Sequence, residues 1–194
     1  GEVKLGASVN FFNIFFNPHG HGTHTECVGH ITKEKQSLNQ VIKKFFFFAE
    51  LISVKPTYIK KDRVITKKSL SELLTNKDPE AVIIRTIPNN KDKLTKKYSN
   101  TNPPYLEESA AKFLNDKKIK HLLIDLPSID KEKDDGKLLA HHAFWGFPNK
   151  TRLDSSITEF IYVPNNIKDG SYLLNLSFAP FENDASPSKP TLYK

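Results

Sequence analysis

Residues 19–30 read His19-Gly20-His21-Gly22-Thr23-His24-Thr25-Glu26-Cys27-Val28-Gly29-His30. This stretch holds four of the chain's seven histidines, together with one glutamate. Imidazole nitrogens and carboxylate oxygens are the ligands that zinc and its first-row neighbours prefer, and a catalytic ion needs several of them at one point. The stretch therefore predicts a metal site. The alternatives are a histidine-rich surface loop and the remnant of an affinity tag.

The spacing within this stretch indicates an extended backbone. His24, Glu26 and His30 share the alternate-residue parity of a strand, and His19 and His21 share the other parity. The intervening glycines permit kinks where the backbone approaches another segment closely. The helical motif of zinc proteases, two histidines flanking a glutamate at helical spacing, is absent from the stretch. We therefore predict a kinked strand over residues 19–30.

Length and composition predict one soluble globular domain. The chain has 194 residues, 38% hydrophobic and 26% charged, and this size suits a single core. The longest apolar run, residues 45–48, is too short to span a membrane. The net charge of +7 comes almost wholly from lysine, whereas arginine is the usual reader of bases and phosphates. We expect a small-molecule substrate, with neither a nucleic acid nor a membrane as partner.

Cys27 is the only cysteine, so an intrachain disulfide is impossible. Nothing in the cysteine content points to an oxidising compartment, and a cytoplasmic location is expected. The thiol could be a nucleophile with a nearby histidine as base. Its parity, opposite to that of Glu26, instead favours a small buried residue or a neighbour of the metal ligands.

Hydrophobic periodicity along the chain predicts alternating strands and helices. Strands are predicted over residues 7–16, 45–54, 81–85, 121–125, 157–163 and 172–178. Helices are predicted over residues 37–44, 105–114 and 137–145, and a short helix carrying Leu70, Leu73 and Leu74 should begin at a capping box of Ser69 and Glu72. Residues 87–104 form a long polar loop. The predicted fold class is α/β, in a single domain over residues 1–194.

The remaining metal ligands should come from distant parts of the chain. His141 lies one helical turn from Trp145 and can face inward, although one core and one surface histidine would also explain His141 and His142. Glu159 shares strand parity with apolar neighbours, and a buried carboxylate needs a cation, which could be a metal ion or a basic side chain. Asp125 ends a predicted strand where α/β sheets bind ligands, although it could equally form a turn.

Five segments resemble the cyclase family, which includes bacterial kynurenine formamidase. The segment from Gly22 to His30 is similar to the family signature His-x-Gly-Thr-His-x-Asp-x-Pro-x-His. The other matches follow in family order: Leu123-Ile124-Asp125-Leu126-Pro127-Ser128-Ile129-Asp130, Ala140-His141-His142, Thr158-Glu159-Phe160 and Asp184-Ala185-Ser186-Pro187. The resemblance implies the swivelling β/β/α cyclase-like fold and a homodimer or homotetramer.

By the same resemblance, His24, Glu26, His141 and Glu159 take metal-ligand positions and His30 takes that of the catalytic histidine. Gly20 occupies the position of the family's first histidine, so either His19 or His21 must supply that ligand. Glu26 replaces the family's aspartate, and Val28 replaces its proline. Only eighteen residues precede His19, so we expect part of the family's amino-terminal segment to be missing from residues 1–194.

The resemblance and the ligand set together predict a metal-dependent hydrolase. One or two ions of Zn²⁺ or Mn²⁺ would activate a water, with His30 as general base, for attack on an N-formyl amide, a cyclic amide or an ester. N-formylkynurenine is the best-known substrate of the family. The alternative is a metal-binding or ligand-binding module on the same fold without turnover.

Overall fold

Short strands outnumber helices in the computed structural model, which describes residues 1–75 and 78–194. The strands are β1 (His24–Cys27), β2 (Phe46–Val54), β3 (Thr57–Ile59), β4 (Asp62–Ile65), β5 (Ala81–Thr86), β6 (Tyr105–Leu106), β7 (His121–Ile124), β8 (Ser156–Glu159), β9 (Gly170–Asn175), β10 (Ala185–Pro187) and β11 (Thr191–Tyr193). The helices are α1 (Leu38–Val41), α2 (Lys67–Leu73), α3 (Glu108–Asp116) and α4 (Leu139–Trp145), with 3₁₀ turns at Val3–Leu5, Val28–His30 and Lys91–Leu94. Within the described ranges, no helix is long and apolar enough to cross a membrane.

Eight strands form one mixed sheet in the order β10-β1-β8-β7-β5-β2-β9-β11. The central strands β8, β7, β5 and β2 are parallel, and the outer strands pair antiparallel. Strands β3, β4 and β6 form a second, small sheet. The predicted α/β class is confirmed, with strands alternating with helices through the parallel centre.

The two faces of the large sheet bury different cores because side chains alternate along each strand. One face packs against α2, α3 and α4 and buries Val82, Leu122, Ile157 and Trp145 in the larger cluster. The other face buries Phe47, Leu51 and Ile83 with residues of β9 in a smaller cluster. The face that packs on the helices also carries the candidate site.

The predicted strand over residues 7–16 is wrong. These residues form no strand, and Phe11, Phe12, Ile14 and Phe15 are exposed. A strand requires a neighbouring strand for its backbone hydrogen bonds and an apolar surface for its side chains. Within the described residues, this segment pairs with no strand, and most of its apolar side chains face solvent, although the Phe16 ring contacts that of Phe181. The apolar composition of residues 7–16 was therefore insufficient to predict a strand.

Several element boundaries also differ from prediction. The strands predicted over residues 157–163 and 172–178 are Ser156–Glu159 and Gly170–Asn175, and the helix predicted over residues 137–145 begins at Leu139. Helix α2 begins two residues before Ser69, because Thr66 is the N-cap and shares a reciprocal capping box with Ser69. The helix predicted from residue 105 begins at Glu108, because Tyr105–Leu106 pair with β4 instead. The helix predicted over residues 37–44 shortens to Leu38–Val41. Local periodicity identified these segments, but tertiary pairing and capping decided where they begin and end.

The buried His121 should make the fold sensitive to acid. Its side chain lies against the Phe47 ring, with a centroid distance of 3.9 Å, and its Nδ1 is 2.8 Å from Ser156 Oγ. Burial, reinforced by the neighbouring Lys120, lowers the pKa of His121 from 6.5 to about 3. On acidification, His121 therefore binds a proton near pH 6.5 in the unfolded chain, but only near pH 3 in the folded chain. The free energy of unfolding consequently falls as the pH falls from 6.5 toward 3.

We expect His121→Gln to reduce this acid sensitivity. Between about pH 6 and pH 4, the free energy of unfolding of the wild type should fall by up to about 1.4 kcal/mol per pH unit more than that of the variant. Urea unfolding at a series of pH values measures the difference. Parallel pH profiles of the two proteins would show that His121 does not carry the effect.

Candidate metal centre

Strand β1 presents His24 and Glu26 on one face, and the register of β8 places Glu159 opposite His24. The three side chains converge because residues two apart in a strand point the same way. His24 Nε2 lies 3.9 Å from Glu26 Oε2 and 3.5 Å from Glu159 Oε2. All three residues are buried. The predicted strand parity of His24 and Glu26 is thus observed.

Helix α4 brings His141 to the same point from the layer above the sheet. His141 Nε2 lies 3.0 Å from Glu26 Oε1 and 3.8 Å from Glu159 Oε1. Its other nitrogen, Nδ1, lies 2.5 Å from Asp130 Oδ2. His141 is buried, whereas His142 is partly exposed with its ring against Phe147. Helical spacing to Trp145 therefore indicated the inward face correctly.

The structure brings His19 to the cluster and leaves His21 outside it. His19 Nδ1 lies 2.9 Å from Glu26 Oε2, and His19 Nε2 lies 2.7 Å from Asp184 Oδ2. His21 is exposed, and its Nδ1 accepts a hydrogen bond from the Asn17 N–H. Strand parity failed here because residues 17–23 form turns and bends ahead of β1. These turns carry His19 back over the cluster.

His30 borders the cluster on its open side. The strand ends at Cys27, and the 3₁₀ turn of Val28–His30 directs the imidazole toward Glu26 and Asp184. His30 Nδ1 lies 4.0 Å from Glu26 Oε2 and 3.7 Å from Asp184 Oδ2, and its side chain is 31% exposed. His30 therefore combines proximity to the cluster with access from solvent, as does His19, whose side chain is 28% exposed.

Gly29 permits this arrangement by its lack of a side chain. A Cβ at this position would clash with the Gln36 carbonyl oxygen and would lie 3.0 Å from Asp184 Cβ. The predicted close approach of a kinked backbone is thus found at Gly29. Gly20 and Gly22 have no such crowding.

Closely spaced charges shift the protonation of the cluster in opposite directions. Burial disfavours charge on His141 and His19, but hydrogen bonds to carboxylates outweigh this effect. The bonds from His141 to Asp130 and Glu26 raise the pKa of His141 to about 10. The bonds from His19 to Asp184 and Glu26 raise the pKa of His19 to about 10. Burial and the neighbouring Glu26 carboxylate raise the pKa of Glu159. Despite its own burial, Glu26 has a lowered pKa because His141 and His19 face it. The carboxylates therefore favour the protonated, positively charged forms of His19 and His141. These protons supply the positive charge that the clustered carboxylates require.

The chemistry of these groups fits a metal ion. His24 Nε2 is fully buried and makes no hydrogen bond in the described part of the chain, and Glu26 Oε2 is fully buried with His19 Nδ1 at 2.9 Å. Ligand atoms within 4.8 Å of one another form three overlapping groups: His19, His24 and Glu26; Glu26, His30 and His141; and His19, His30 and Asp184. A buried polar atom without a partner is costly, and a divalent cation would satisfy His24 Nε2 and replace the protons that face the carboxylates.

Two aspartates at the site were not predicted as functional residues. Asp184 contacts His19, and Asp130 accepts hydrogen bonds from the N–H groups of Ala140 and His141 as well as facing the His141 ring. Both lie inside segments that resemble the cyclase family, at the end of one and the start of another. The order of these motifs was therefore a signal, but only the folded chain shows which aspartates reach the histidines.

Asp130→Asn should weaken metal binding about 10- to 100-fold, because groups that orient a ligating histidine contribute that much to affinity. Titration with Zn²⁺ in the presence of a competing chelator measures the effect. Asp134→Asn is the matched control, since Asp134 accepts from the Gly136 and Leu138 N–H groups at the entry to α4 without touching His141. Equal losses of Zn²⁺ affinity in both variants would show that Asp130 acts only by capping the helix and does not orient His141.

The other two candidate residues are accounted for without reaction chemistry. Cys27 is buried, its Sγ donates to the Gln36 carbonyl oxygen, and burial raises the pKa of its thiol to about 11. It is therefore a packed thiol and no nucleophile. Asp125 is buried, accepts from the Thr86 N–H and pairs with Lys93 at 2.7 Å.

Comparisons with known proteins agree on one family and one fold. The sequence model of the Cyclase family, described as "Putative cyclase", matches residues 3–131. No curated protein sequence matches the chain. A solved "potential metal-dependent hydrolase with cyclase activity" shares 19% identity and superimposes with a TM-score of 0.72, covering 93% of this chain and 81% of that chain.

Two further structures show the same fold. A protein from Bacillus stearothermophilus, described as a "predicted metal-dependent hydrolase", has 19% identity and a TM-score of 0.66, over 93% of this chain and 79% of that chain. Isatin hydrolase A from Labrenzia aggregata, bound to benzyl benzoate, has 14% identity and a TM-score of 0.66, over 94% of this chain and 76% of that chain. The expected cyclase-like fold is thereby confirmed.

Proposed function

Because the chain belongs to the cyclase family, we propose that it is a metal-dependent hydrolase that cleaves an N-formyl amide, a cyclic amide or an ester. The observation that carries this proposal is the buried His24 Nε2, which makes no hydrogen bond in the described part of the chain, within a cluster of histidines and carboxylates. Such a cluster is costly without a cation.

The residues that would hold the metal are His19, His24, Glu26, His141 and Glu159. Three imidazoles and two carboxylates suit Zn²⁺ or Mn²⁺. Glu26 belongs both to the group with His19 and His24 and to the group with His30 and His141, so these residues would hold one or two ions. When bound, such ions supply activation of water and polarisation of a carbonyl group.

His30 is placed to move the protons of the reaction. From the open side of the cluster, its imidazole can take a proton from the attacking water and return it to the leaving nitrogen or oxygen. Asp184 Oδ2, at 3.7 Å from His30 Nδ1, is the carboxylate placed to orient the ring by charge attraction. A catalytic base needs a partner of this kind to hold its geometry.

A cavity of about 730 Å³ beside His19 is the proposed substrate pocket. Its walls include Ser128 and the rings of Tyr98 and Phe160, whose centroids are 6.0 Å apart. The Phe160 ring also lies 6.2 Å from the His24 ring, so the apolar wall adjoins the proposed metal ligands. The volume suits a small molecule.

Metal analysis combined with hydrolysis assays tests the proposal. The wild type should contain stoichiometric metal and hydrolyse one of three probes: N-formylkynurenine, isatin or a simple lactone. A His24→Ala, Glu159→Ala double variant should lose both properties, while His142→Ala should retain them because His142 lies outside the cluster. Metal without hydrolysis of any probe would instead favour a binding module, and absence of metal from the wild type would refute the metal centre.

A further inference from the structure

A second cavity lies at the carboxyl ends of three parallel strands, apart from the histidine cluster. It measures about 380 Å³ and is lined by Lys55, which follows β2, by Thr86, which ends β5, and by Leu126, which follows β7. Open α/β sheets bind ligands at this position, beyond the carboxyl ends of their strands. The cavity therefore lies where the topology favours a binding site.

A buried ion pair closes the floor of this cavity. Lys93 Nζ lies 2.7 Å from Asp125 Oδ2 and also donates to the Thr86 carbonyl oxygen, Thr86 Oγ1 and Asn89 Oδ1. These acceptors occupy all the protons of the ammonium group. Lys93 thus neutralises the charge of Asp125, so this carboxylate does not repel an anion in the cavity.

Three cations on the walls have no carboxylate partner within the described residues. Arg63 Nη2 donates to the Asn102 carbonyl oxygen, and the Lys96 ammonium lies 5.0 Å from the centre of the Tyr98 ring. Lys55 has no ion-pair or hydrogen-bond partner in the described part of the chain. Asp92 is the single carboxylate among the described lining residues. The walls therefore carry an excess of positive charge with free donors.

We propose that this basic cavity, lined by Lys55, Arg63 and Lys96, binds a small-molecule dianion, either a phosphate or a pair of carboxylates. A guanidinium group matches the oxygens of both anions with paired N–H donors. The two lysines add ammonium donors around it. Three cations against one carboxylate suit a doubly charged ligand better than a neutral one.

The proposed site goes beyond the hydrolase function and does not require a metal. Lys96 and Tyr98 also line the cavity beside His19, so the two cavities share a wall. A dianion bound on one side of that wall would lie next to the substrate pocket on the other. Binding at the basic cavity can nevertheless be measured without any assay of hydrolysis.

Calorimetric titration of the full chain with inorganic phosphate and, separately, with malonate tests this proposal at fixed ionic strength. Binding of either probe supports it, and the tighter probe identifies the ligand as a phosphate or a dicarboxylate. Arg63→Gln and Lys96→Gln should each weaken that binding by about tenfold or more, because each removes charge-assisted hydrogen bonds.

Lys91→Gln is the matched control, because Lys91 is also an exposed lysine of the same loop but lines neither this cavity nor the cavity beside His19. It should change the affinity by less than about twofold, since an exposed charge outside the site is screened. Absence of binding by both probes would overturn the proposal. Binding that Arg63→Gln and Lys96→Gln leave unchanged, or that Lys91→Gln weakens equally, would also overturn it. Circular dichroism of each variant checks that the fold is retained.

Discussion

Glu26→Gln should reduce kcat/KM by about 1,000-fold or more and remove most of the bound metal. The change keeps the volume of the side chain but removes the charge that faces His19 on one oxygen and His141 on the other. Loss of a catalytic ion forfeits several kcal/mol of charge stabilisation, and each 1.36 kcal/mol is a factor of ten in rate. Elemental analysis and steady-state kinetics on the same samples measure both effects.

His21→Ala is the control for Glu26→Gln. His21 lies in the same histidine-rich stretch, but it is exposed and its Nδ1 bonds only to the Asn17 N–H in the described structure. Its replacement should leave metal content and kcat/KM nearly unchanged, whereas His19→Ala should behave like Glu26→Gln. If His21→Ala lost metal and His19→Ala did not, the assignment of the first histidine ligand would be reversed.

His30→Ala should lower kcat by about 100- to 10,000-fold, the usual contribution of a general acid–base residue, while the protein keeps its metal. Loss of activity without loss of metal is expected because His30 lies at the exposed edge of the cluster, with its Nδ1 4.0 Å from Glu26 Oε2. Metal content and kcat, measured side by side, distinguish this result from that of Glu26→Gln.

Added imidazole provides a second readout for His30→Ala. The His30 side chain is 31% exposed, so a small base from solution can reach the space that the variant leaves, and partial recovery of kcat is expected. Loss of metal from His30→Ala would identify His30 as a ligand instead of a base. Unchanged kcat would contradict the proposed mechanism.

Short-range patterns predicted much of the fold and part of the site. Apolar runs located β2, β5 and β7, and helical spacing placed His141 on the inward face of α4. Strand parity grouped His24 with Glu26, because alternation along a strand is a local property of the backbone. Parity failed for His19 and His21, because turns ahead of β1 interrupt the strand there.

The sequence by itself determined the ligand types, their density near residue 24 and the α/β class, since these depend on composition and local periodicity. Only the tertiary structure decided that His19 and not His21 joins Glu26, that Asp130 and Asp184 hold the histidines, and that Lys55, Arg63 and Lys96 line one cavity. Some of those contacts, such as His19 with Asp184, join residues far apart in the chain, and the nearer ones, such as His19 with Glu26, depend on the turns ahead of β1. Their geometry is set by strand register, by turns and by the packing of α4 on the sheet, and local sequence patterns do not encode these long-range relations.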